Sequence, residues 1–408
     1  MVEDNPKMNE LEELHHFCKK YNIYIYGHDI TSMNVSKYLY FSGVKIKGFI
    51  KPEVLQCDIA SEPFPIVNLA ELNTFSKKEK QTIGVIICAP TELYNQIIGM
   101  LQIIGIRHYY IISEWNKRTL VKKMAPRTIE DFYLEVNLAD HCNLNCQCCD
   151  HFSPIASETF LDFDQYVCDI KRFAELTSGK IGLMKLQGGE PLLNDRLIDY
   201  IKITRECFPG SPICIFTDGL LLPKWGNYTG ERNLWDAINK YEIEIRMTQY
   251  PVPIKLEKIV ESAEKHNVPV TFSPPMAGKG SRLWVFTEIG ALDYKGVKHS
   301  VKHPFVLNGS VEKYRWVSCY QFNESIVLRD GKIYTCPMIP YVHYFNKAFN
   351  QNLKVKDDCY IDIYRANSFE EIAEFCTHRT SFCDYCAVHK RQARQWKQSK
   401  HTIEEWSV

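Results

Sequence analysis

Short apolar runs alternate with amphipathic stretches along the first part of the chain. The runs predict strands, and the stretches between them, with apolar residues at helical spacing, predict helices. Strands are predicted at residues 22–27, 44–50, 82–89 and 107–112, and helices at 11–20, 32–42 and 92–104. This alternation is typical of a parallel α/β sheet, so residues 1–115 are predicted to form a Rossmann-like domain.

A ligand of this domain would lie at the carboxyl ends of its strands. The first strand ends at Gly27, but the sequence Gly-His-Asp-Ile-Thr-Ser lacks the second and third glycines of GxGxxG. A docking or regulatory domain is therefore favoured over a dinucleotide site.

The same alternation returns after residue 131. Strands are predicted at residues 132–138, 181–186, 213–216, 243–247 and 268–272, and helices at 164–176, 195–207, 233–240 and 256–267. Successive parallel strands with helices outside predict an open or partial (β/α) barrel, with functional loops at the strand carboxyl ends. Residues 116–127, which precede it, are basic and contain a proline, which favours a linker.

A hairpin is predicted near the C-terminus, where residues 325–328 and 332–334 flank Asp330-Gly331. Cys319 and Cys336 stand at its two ends, and Cys383-Asp384-Tyr385-Cys386 adds a C-x2-C motif. Four thiols from a hairpin and a turn suit either a zinc ribbon or an iron–sulfur cluster. Cys359 and Cys376 are left over and are expected to be buried packing residues, although either could replace a ligand.

The amino-acid composition adds one main feature to the predicted fold, which is the large number of cysteines. Lys plus Arg and Asp plus Glu number 49 each, so the charge balance indicates neither nucleic acid nor an anionic membrane as a partner. The first residues lack the basic flank and apolar core of a signal peptide, and apolar runs such as residues 97–106 are too short to span a membrane. We therefore expect a cytoplasmic protein, in which 16 cysteines indicate metal ligation rather than disulfides.

Four cysteines fall together in residues 140–150, the thiol loop, directly after a predicted strand. Cys142, Cys146 and Cys149 form a C-x3-C-x2-C motif, and Cys148 is an extra thiol or a substitute. Three thiolates on a tight loop can hold three irons of a cubane and leave the fourth iron free to bind another molecule. The alternatives are a zinc site completed by His151 and a set of buried structural thiols.

Other motifs lie at predicted strand ends. They are Gly188-Gly189-Glu190-Pro191 (GGEP), Thr217-Asp218-Gly219 and Thr248-Gln249-Tyr250-Pro251, the last of which has no assigned role. Without a Cβ, the two glycines let the backbone approach a ligand closely, and Glu190 can add a negative charge. Each motif alone is an ordinary turn. Because they fall at the same kind of position as the thiol loop, together they favour an enzyme.

The triad Cys142-x3-Cys146-x2-Cys149, followed at a later strand end by GGEP, resembles the radical S-adenosylmethionine (SAM) superfamily. The resemblance implies a partial (β/α)6 barrel over residues 128–305 and a [4Fe–4S] cluster whose free iron binds SAM. It implies that the cluster ligands are Cys142, Cys146 and Cys149, that Gly188, Gly189, Glu190 and Pro191 bind the SAM amino group, and that Thr217 and Asp218 contact its ribose. The residue before the last cysteine, usually aromatic in the family, is Cys148 here, so an exchange of ligand roles between Cys148 and Cys149 stays open.

The C-terminal pattern C-x11-G-x4-C, followed by C-x2-C, resembles the twitch form of the SPASM extension behind radical SAM cores. It implies a small cluster domain over residues 306–408 with an auxiliary [4Fe–4S] cluster, and iron–sulfur is then favoured over zinc. The implied ligands are Cys319, Cys336, Cys383 and Cys386. The full SPASM pattern of seven cysteines is not met.

The resemblance implies an enzyme that reductively cleaves SAM to a 5'-deoxyadenosyl radical, which removes a hydrogen from the substrate. A small sugar-like substrate, a sugar or nucleotide-linked sugar, would fit the α/β domain, with the auxiliary cluster as electron acceptor and a flavodoxin or ferredoxin as electron donor. Two alternatives stay open: a SPASM-type enzyme that modifies a peptide or protein, and a non-catalytic iron–sulfur or zinc protein. His141, Asp150 and His151 flank the thiols, but no general base is assigned.

Overall fold

The computed structural model describes residues 6–51, 64–272, 280, 282–286, 299–302 and 304–408. Two compact units make up the chain. The first contains Met1–Ala125, Glu312–Tyr320 and Thr377–Arg379, and the second contains Pro126–Val311, Gln321–Cys376 and Thr380–Val408. None of the helices within the described residues combines the length and apolarity needed to cross a lipid bilayer.

The first unit is built on a five-stranded parallel sheet. Its strands are β1 Asn22–Tyr26, β2 Ile46–Ile50, β3 Ile66–Val67, β4 Ile83–Ile87 and β5 His108–Ile111. Its helices are α1 Met8–Lys20, α2 Ile30–Phe41, α3 Leu69–Asn73, α4 Lys77–Lys80, α5 Tyr94–Ile103 and α6 Glu114–Met124. The strand order β3-β2-β1-β4-β5 is that of doubly wound α/β folds and confirms the predicted parallel α/β sheet.

Local sequence explains how several of these elements form. Every residue of β4 is buried, as expected of a central strand covered on both faces. Residues 116–124, predicted as a linker, belong instead to helix α6. Ser113 caps that helix by accepting the backbone N–H of Asn116, and Leu120 and Met124, four residues apart, are both fully buried. Of the basic residues that suggested a linker, Arg118 and Lys122 are exposed, whereas Lys117 and Lys123 are buried.

The second unit is built on a nine-stranded sheet and a two-stranded ribbon. Its strands are β6 Tyr133–Asn137, β7 Leu183–Gln187, β8 Ile213–Thr217, β9 Glu244–Thr248, β10 Val270–Phe272, β11 Arg282–Phe286, β12 His299–Lys302, β13 Ser325–Arg329, β14 Lys332–Tyr334, β15 Ile361–Asp362 and β16 Gln392–Gln395. Its helices are α7 Phe163–Thr177, α8 Leu197–Cys207, α9 Leu222–Gly226, α10 Leu234–Lys240, α11 Leu256–Lys265, α12 Val342–Phe349 and α13 Phe369–Cys376. The sheet runs β10-β11-β9-β8-β7-β6-β13-β14-β15, and β12 pairs with β16 in the ribbon.

The strand order differs from the predicted one at both ends of the parallel region. Winding is sequential from β6 to β9, but β11 lies between β9 and β10 and is parallel to both. The hairpin β13–β14 was predicted in a domain of its own, yet β13 pairs in parallel with β6 and so extends the core sheet. Pairings between such distant segments leave no periodic pattern in the local sequence, so the local pattern cannot predict them.

Side chains alternate between two faces of the parallel strands. One face is apolar and packs in the main hydrophobic core, with residues such as Leu134, Met184, Ile215 and Ile245. The residues between them point to the opposite face, which we call the polar face. They are Glu135, Lys185, Cys214, Phe216, Glu244, Arg246, Arg282 and Trp284. A polar face on a buried sheet is unusual for packing alone and indicates a binding surface.

A buried ion pair joins the start of the thiol loop to the hairpin. Both terminal nitrogens of Arg329, at the end of β13, donate to the carboxylate of Asp140, at 2.8 and 3.1 Å. The Tyr344 hydroxyl donates to the same carboxylate at 2.7 Å. Asp140 is 1% exposed and Arg329 13% exposed, so the two charges depend on each other for compensation.

Replacing Arg329 with Met is expected to lower the free energy of unfolding by about 3 kcal/mol, because the buried carboxylate of Asp140 loses its countercharge. The measurement is the midpoint of urea unfolding. The matched control is Arg365→Met, because the Arg365 side chain is 89% exposed in its pair with Asp362. The control should change stability by no more than about 0.5 kcal/mol. Equal shifts in the two variants would contradict this account of Arg329.

Candidate functional site

The thiol loop follows β6 and lies against the GGEP turn that follows β7. The backbone N–H of Gly189 donates to the carbonyl of Ala139 at 2.8 Å, and that of Glu190 to the carbonyl of His141 at 3.1 Å. A Cβ on Gly189 would lie 2.0 Å from the His141 carbonyl oxygen. The close approach predicted for these glycines is therefore made to the backbone of the thiol loop itself.

Three of the loop thiols lie close enough to one side chain, Tyr250, to influence its pKa. Burial, followed by the nearby thiols of Cys146, Cys149 and Cys142, raises the pKa of the Tyr250 hydroxyl well above its ordinary value. Burial also raises the pKa of Cys142, and it raises that of Cys146 to about 12. Such thiols stay protonated until a cation compensates their charge, as iron or zinc does.

Cys148 lies in different surroundings. It is buried and adopts a left-handed backbone conformation, with φ of 62°. Burial raises its pKa to about 11, and the charges that act on it most are those of Arg394, Glu405 and Lys302. These belong to the β12–β16 ribbon and the C-terminal segment.

Hydrogen-bond donors contact two of the sulfur atoms. The backbone N–H of Leu144 donates to Cys142 Sγ at 3.4 Å, and the indole N–H of Trp396 donates to Cys146 Sγ at 3.2 Å. Donors of this kind stabilise negative charge on sulfur, and hydrogen bonds to sulfur help to set the reduction potential of iron–sulfur clusters.

The zinc alternative is not favoured by the geometry of the loop. Among the described residues, ligand atoms within 4.8 Å of one another form a single group of three, Cys149, Asp150 and His151. Cys142 and Cys146 are outside that group, whereas four ligands of a tetrahedral zinc lie within about 4 Å of one another. Within the group, Asp150 Oδ1 and His151 Nδ1 are already 3.2 Å apart and contact each other.

A line of polar contacts leads from this group to the polar face. His151 Nε2 lies 3.4 Å from Gln187 Nε2, and Gln187 donates to Glu135 at 3.0 Å. The other oxygen of Glu135 accepts a hydrogen bond from Lys185 at 2.9 Å. These contacts place the thiol loop and the polar face in one continuous site.

Glu190 braces the two turns that follow β7 and β8. Its Oε1 accepts the Thr217 hydroxyl at 2.7 Å and the Leu192 N–H at 3.0 Å, and its Oε2 accepts the Asp218 N–H at 2.9 Å. Burial and the nearby Asp218 carboxylate raise its pKa well above the ordinary range. Pro191 follows and opens a short 3-10 turn, Pro191–Leu193. The structure thus brings together the residues that the sequence predicted from both motifs.

Asp218 carries the buried oxygen atom that this arrangement leaves available. Its Oδ1 accepts the Leu220 N–H at 2.8 Å, whereas its Oδ2 is buried and has no hydrogen-bond partner among the described residues. Burial raises the pKa of Asp218 to about 6. A buried carboxylate oxygen without a donor is destabilising, so a donor from a ligand would compensate it.

The four C-terminal thiols are divided between the two units. Cys319 belongs to the first unit, and Cys336, Cys383 and Cys386 belong to the second. Cys386 donates its backbone N–H to the Cys383 carbonyl at 3.2 Å, which closes the C-x2-C turn. In the described part of the second unit these three thiols do not lie within 4.8 Å of one another, the spacing that a preformed zinc ribbon requires.

The two remaining cysteines are buried in different hydrophobic clusters, and Cys336 packs against the cluster that contains Cys359. Cys376 is buried in the main core of the second unit. Cys359 is buried in a smaller cluster, with its sulfur 3.5 Å from the Ser381 hydroxyl.

Sequence reasoning missed two residues of the site. Tyr250 was placed at a strand end without a role, although its position after β9 was the available signal. Trp396 carried no signal at all, because no motif surrounds it and its contact with Cys146 spans 250 residues.

No protein-family model matches the chain. Among curated proteins, GTP 3',8-cyclase of Clostridium perfringens (strain 13 / Type A) is 33% identical over 93 residues, which is 22% of this chain and 28% of that protein. GTP 3',8-cyclase of Aliarcobacter butzleri (strain RM4018) is 30% identical over 142 residues, 33% of this chain and 42% of that protein. The chain therefore spans less than half the length of these relatives.

Two solved structures also resemble the chain. BtrN in complex with AdoMet and 2-DOIA has 15% identity, covers 67% of this chain and 96% of that chain, and gives a TM-score of 0.35. SuiB of Streptococcus suis bound to S-adenosylmethionine has 12% identity, covers 73% of this chain and 82% of that chain, and gives a TM-score of 0.30. Likeness at these TM-scores carries no argument about this chain.

The sequence relatives, which come from several bacteria, bear the same enzyme name. A second observation is independent of them: the fold places the cysteine motif at one edge of a parallel sheet. Together with the cysteine motif, the sequence similarity to these relatives supports the assignment of the chain to the radical S-adenosylmethionine enzymes.

Proposed function

We propose that this chain cleaves SAM reductively and oxidises or modifies a sugar or nucleotide-linked sugar by hydrogen abstraction. The observation that carries the proposal is the contact between the GGEP turn and the loop that bears Cys142, Cys146 and Cys149, which two backbone hydrogen bonds hold together. When bound, a [4Fe–4S] cluster with SAM on its free iron would supply the electron and the 5'-deoxyadenosyl radical. The chain's own residues hold, orient and shield these groups.

The ligand set proposed for this cluster is Cys142, Cys146 and Cys149. Cys148 is left out because Arg394 and Lys302 of the ribbon act on its pKa and because it is not among the thiols that act on Tyr250. This supports the first of the two alternatives that the sequence left open for Cys148 and Cys149.

SAM would lie along the turns after β7 and β8. Asp218 Oδ2 is the buried acceptor without a partner, and it lies close enough to Cys142 and Cys146 to influence their pKa values. It is suited to accept a hydrogen bond from a ribose hydroxyl or the ammonium group of SAM. Glu190 contributes by fixing the backbone of Asp218 through its N–H. Gly188 and Gly189 contribute because, without a Cβ, they leave room for the backbone of the thiol loop.

The polar face supports a substrate that carries negative charge and a ring. Arg246 and Lys185 lie 5.4 and 5.5 Å from the ring centroid of Phe216, and Arg282 lies 5.2 Å from that of Trp284. These three cations outnumber the two carboxylates of the face, Glu135 and Glu244. Arginines next to aromatic rings bind phosphate groups and stack on planar rings, as a nucleotide-linked sugar requires.

Asn137 supports hydroxyl recognition at the same place. It ends β6, is 1% exposed, and neither its amide nitrogen nor its amide oxygen has a hydrogen-bond partner within the described residues. An amide can donate to one hydroxyl and accept from another, so a sugar would satisfy both groups. The name of the curated relatives, GTP 3',8-cyclase, also indicates a nucleotide that carries a sugar.

An auxiliary [4Fe–4S] cluster completes the proposal as the acceptor of the second electron. Its proposed ligands in the second unit are Cys336, Cys383 and Cys386, whose spacing does not match a zinc ribbon. Cys319 as the fourth ligand rests on sequence spacing alone. A flavodoxin or ferredoxin would supply the first electron.

Anaerobically reconstituted wild-type protein is expected to contain about eight irons per chain and to form 5'-deoxyadenosine from SAM and dithionite. The triple variant Cys142→Ala, Cys146→Ala, Cys149→Ala should keep about four irons and form no 5'-deoxyadenosine. Iron and sulfide analysis with product chromatography measures both. Wild-type protein that binds iron but cleaves no SAM under any reductant would overturn the proposed activity.

The variant Cys148→Ala should retain about eight irons and 5'-deoxyadenosine formation, whereas Cys149→Ala should lose about four irons and the activity. The reason is that the charges of the ribbon act most strongly on Cys148, whereas Cys149 is one of the three thiols that act on Tyr250. The two variants differ from wild type by the same atoms at adjacent positions, so each is the control of the other. The reverse pattern would assign the third ligand to Cys148.

Replacing Arg246 with Lys should weaken binding of uridine diphosphate glucose about tenfold, because Lys keeps the charge beside Glu244 but cannot donate two parallel hydrogen bonds to a phosphate. Isothermal titration calorimetry with this probe and with GTP measures the effect. The control is Arg232→Lys, at an exposed arginine that stacks on Tyr228 outside the polar face. If neither nucleotide binds wild-type protein and a peptide substrate does, the peptide-modifying alternative replaces the sugar proposal.

A further inference from the structure

The C-terminal segment pairs with the thiol loop as a short antiparallel ladder. The backbone N–H of Gln147 donates to the Lys397 carbonyl at 2.9 Å, and that of Ser399 donates to the Asn145 carbonyl at 2.8 Å. Between these bonds, Cys146 and Gln398 lie opposite each other as a β-bridge. We call residues 396–406 the C-terminal clasp. It supplies the backbone partners that the thiol loop lacks on its own.

Side chains extend this contact on both sides of the ladder. His401 Nε2 lies 2.9 Å from Asn145 Oδ1, at a position where Asn145 adopts a left-handed conformation with φ of 57°. The indole N–H of Trp406 donates to the Cys149 carbonyl at 2.7 Å. Two thiol-loop residues, Asn145 and Cys149, are therefore held by the clasp in addition to the ladder.

The clasp is itself fixed by internal contacts. The carboxylate of Glu405, which is 3% exposed, accepts the Ser399 hydroxyl and the Lys400 N–H, each at 2.7 Å. The Trp406 ring packs in the smaller aromatic core, with its centroid 6.0 Å from that of Phe152. At the other end the clasp continues from β16, which pairs with β12. Because both ends are anchored, the position of Trp396 is defined.

Trp396 is the clasp residue that contacts sulfur. Its indole N–H lies 3.2 Å from Cys146 Sγ, and its ring centroid lies 5.9 Å from that of Tyr250. The contact is a neutral donor on a thiol-loop sulfur, and both residues are half-buried. A hydrogen bond that is partly removed from water is stronger than one in water.

We propose that Trp396 is a positioning residue that raises the reduction potential of the SAM-binding cluster by donating its indole N–H to the Cys146 sulfur. This inference rests on the proposed function, because it requires a cluster on Cys146. Reduction adds negative charge to the cluster and its sulfurs, so a donor to sulfur stabilises the reduced form more than the oxidised form. The clasp also covers one side of the loop and thereby keeps the donor aligned.

The first test compares reduction potentials of reconstituted holoproteins. Trp396→Phe keeps an aromatic ring beside Tyr250 and removes the N–H. At a fixed potential the ratio of reduced to oxidised SAM-binding cluster should fall about fivefold, which corresponds to a midpoint about 40 mV more negative for one electron. The readout is a redox titration followed by electron paramagnetic resonance, using the signal that changes when SAM is added.

The matched control is Trp235→Phe, which also loses a buried indole N–H, here donated to the Ser262 hydroxyl at 2.8 Å. It should leave the midpoint unchanged, and both variants should bind the same iron as wild type. Unshifted potential in Trp396→Phe with normal iron content would overturn the inference while leaving the proposed function intact. Absence of iron on the thiol loop in wild-type protein would overturn both.

The second test examines the clasp without any cluster. In the apo protein the amide hydrogens of Gln147 and Ser399 should exchange slowly, and Glu405→Ala should speed their exchange at least about tenfold, because it removes the acceptors that shape the clasp. Glu404→Ala, at the exposed neighbouring position, is the control and should not change it. Fast exchange of both amide hydrogens in the wild-type protein would show that the clasp does not form this ladder in the apo protein.

Discussion

The thiol loop forms neither a helix nor a strand of its own, so its backbone groups need hydrogen-bond partners from other parts of the second unit. The thiol loop obtains its backbone partners from two directions. On one side the GGEP turn approaches without Cβ atoms in the way, and on the other the C-terminal clasp adds a short ladder. The left-handed conformations of Asn145 and Cys148 are tolerated because these partners fix the chain around them.

Electrostatics reinforces the same arrangement. The loop begins at Asp140, whose buried charge is compensated by Arg329 from the hairpin. The turn after β8 is fixed by Glu190, whose two oxygens accept three hydrogen bonds. Each of these carboxylates is fully used by the protein, so the carboxylate oxygen of Asp218 and the amide of Asn137 stand out as groups available to ligands. A buried polar group whose hydrogen bonds are all made within the protein is thus assigned a structural role. One that lacks a partner is assigned to ligand binding.

Much of the second unit could be predicted from its sequence, because strands β6 to β9 and the helices between them leave strong periodic signals. The cysteine triad and GGEP could also be placed at strand ends, since sequential parallel strands share an edge. The helical part of the predicted linker was missed because a basic composition outweighed the spacing of Leu120 and Met124. The insertion of β11, the pairing of β13 with β6, and the contact of Trp396 with Cys146 depend on pairing between distant segments, which local pattern does not encode. The space left by Gly188 and Gly189 was predicted, but its occupant, the thiol loop itself, was not.

The clasp also has a consequence for the order in which the chain folds during synthesis. A distance of 250 residues separates Cys146 from Trp396, and a ribosome that adds about 5–20 residues per second needs on the order of 20 s to cover it. During that interval the nascent chain carries a thiol loop with one side uncovered. The ladder between the clasp and the loop, and the donor to Cys146, can therefore form only after most of the chain has been synthesised.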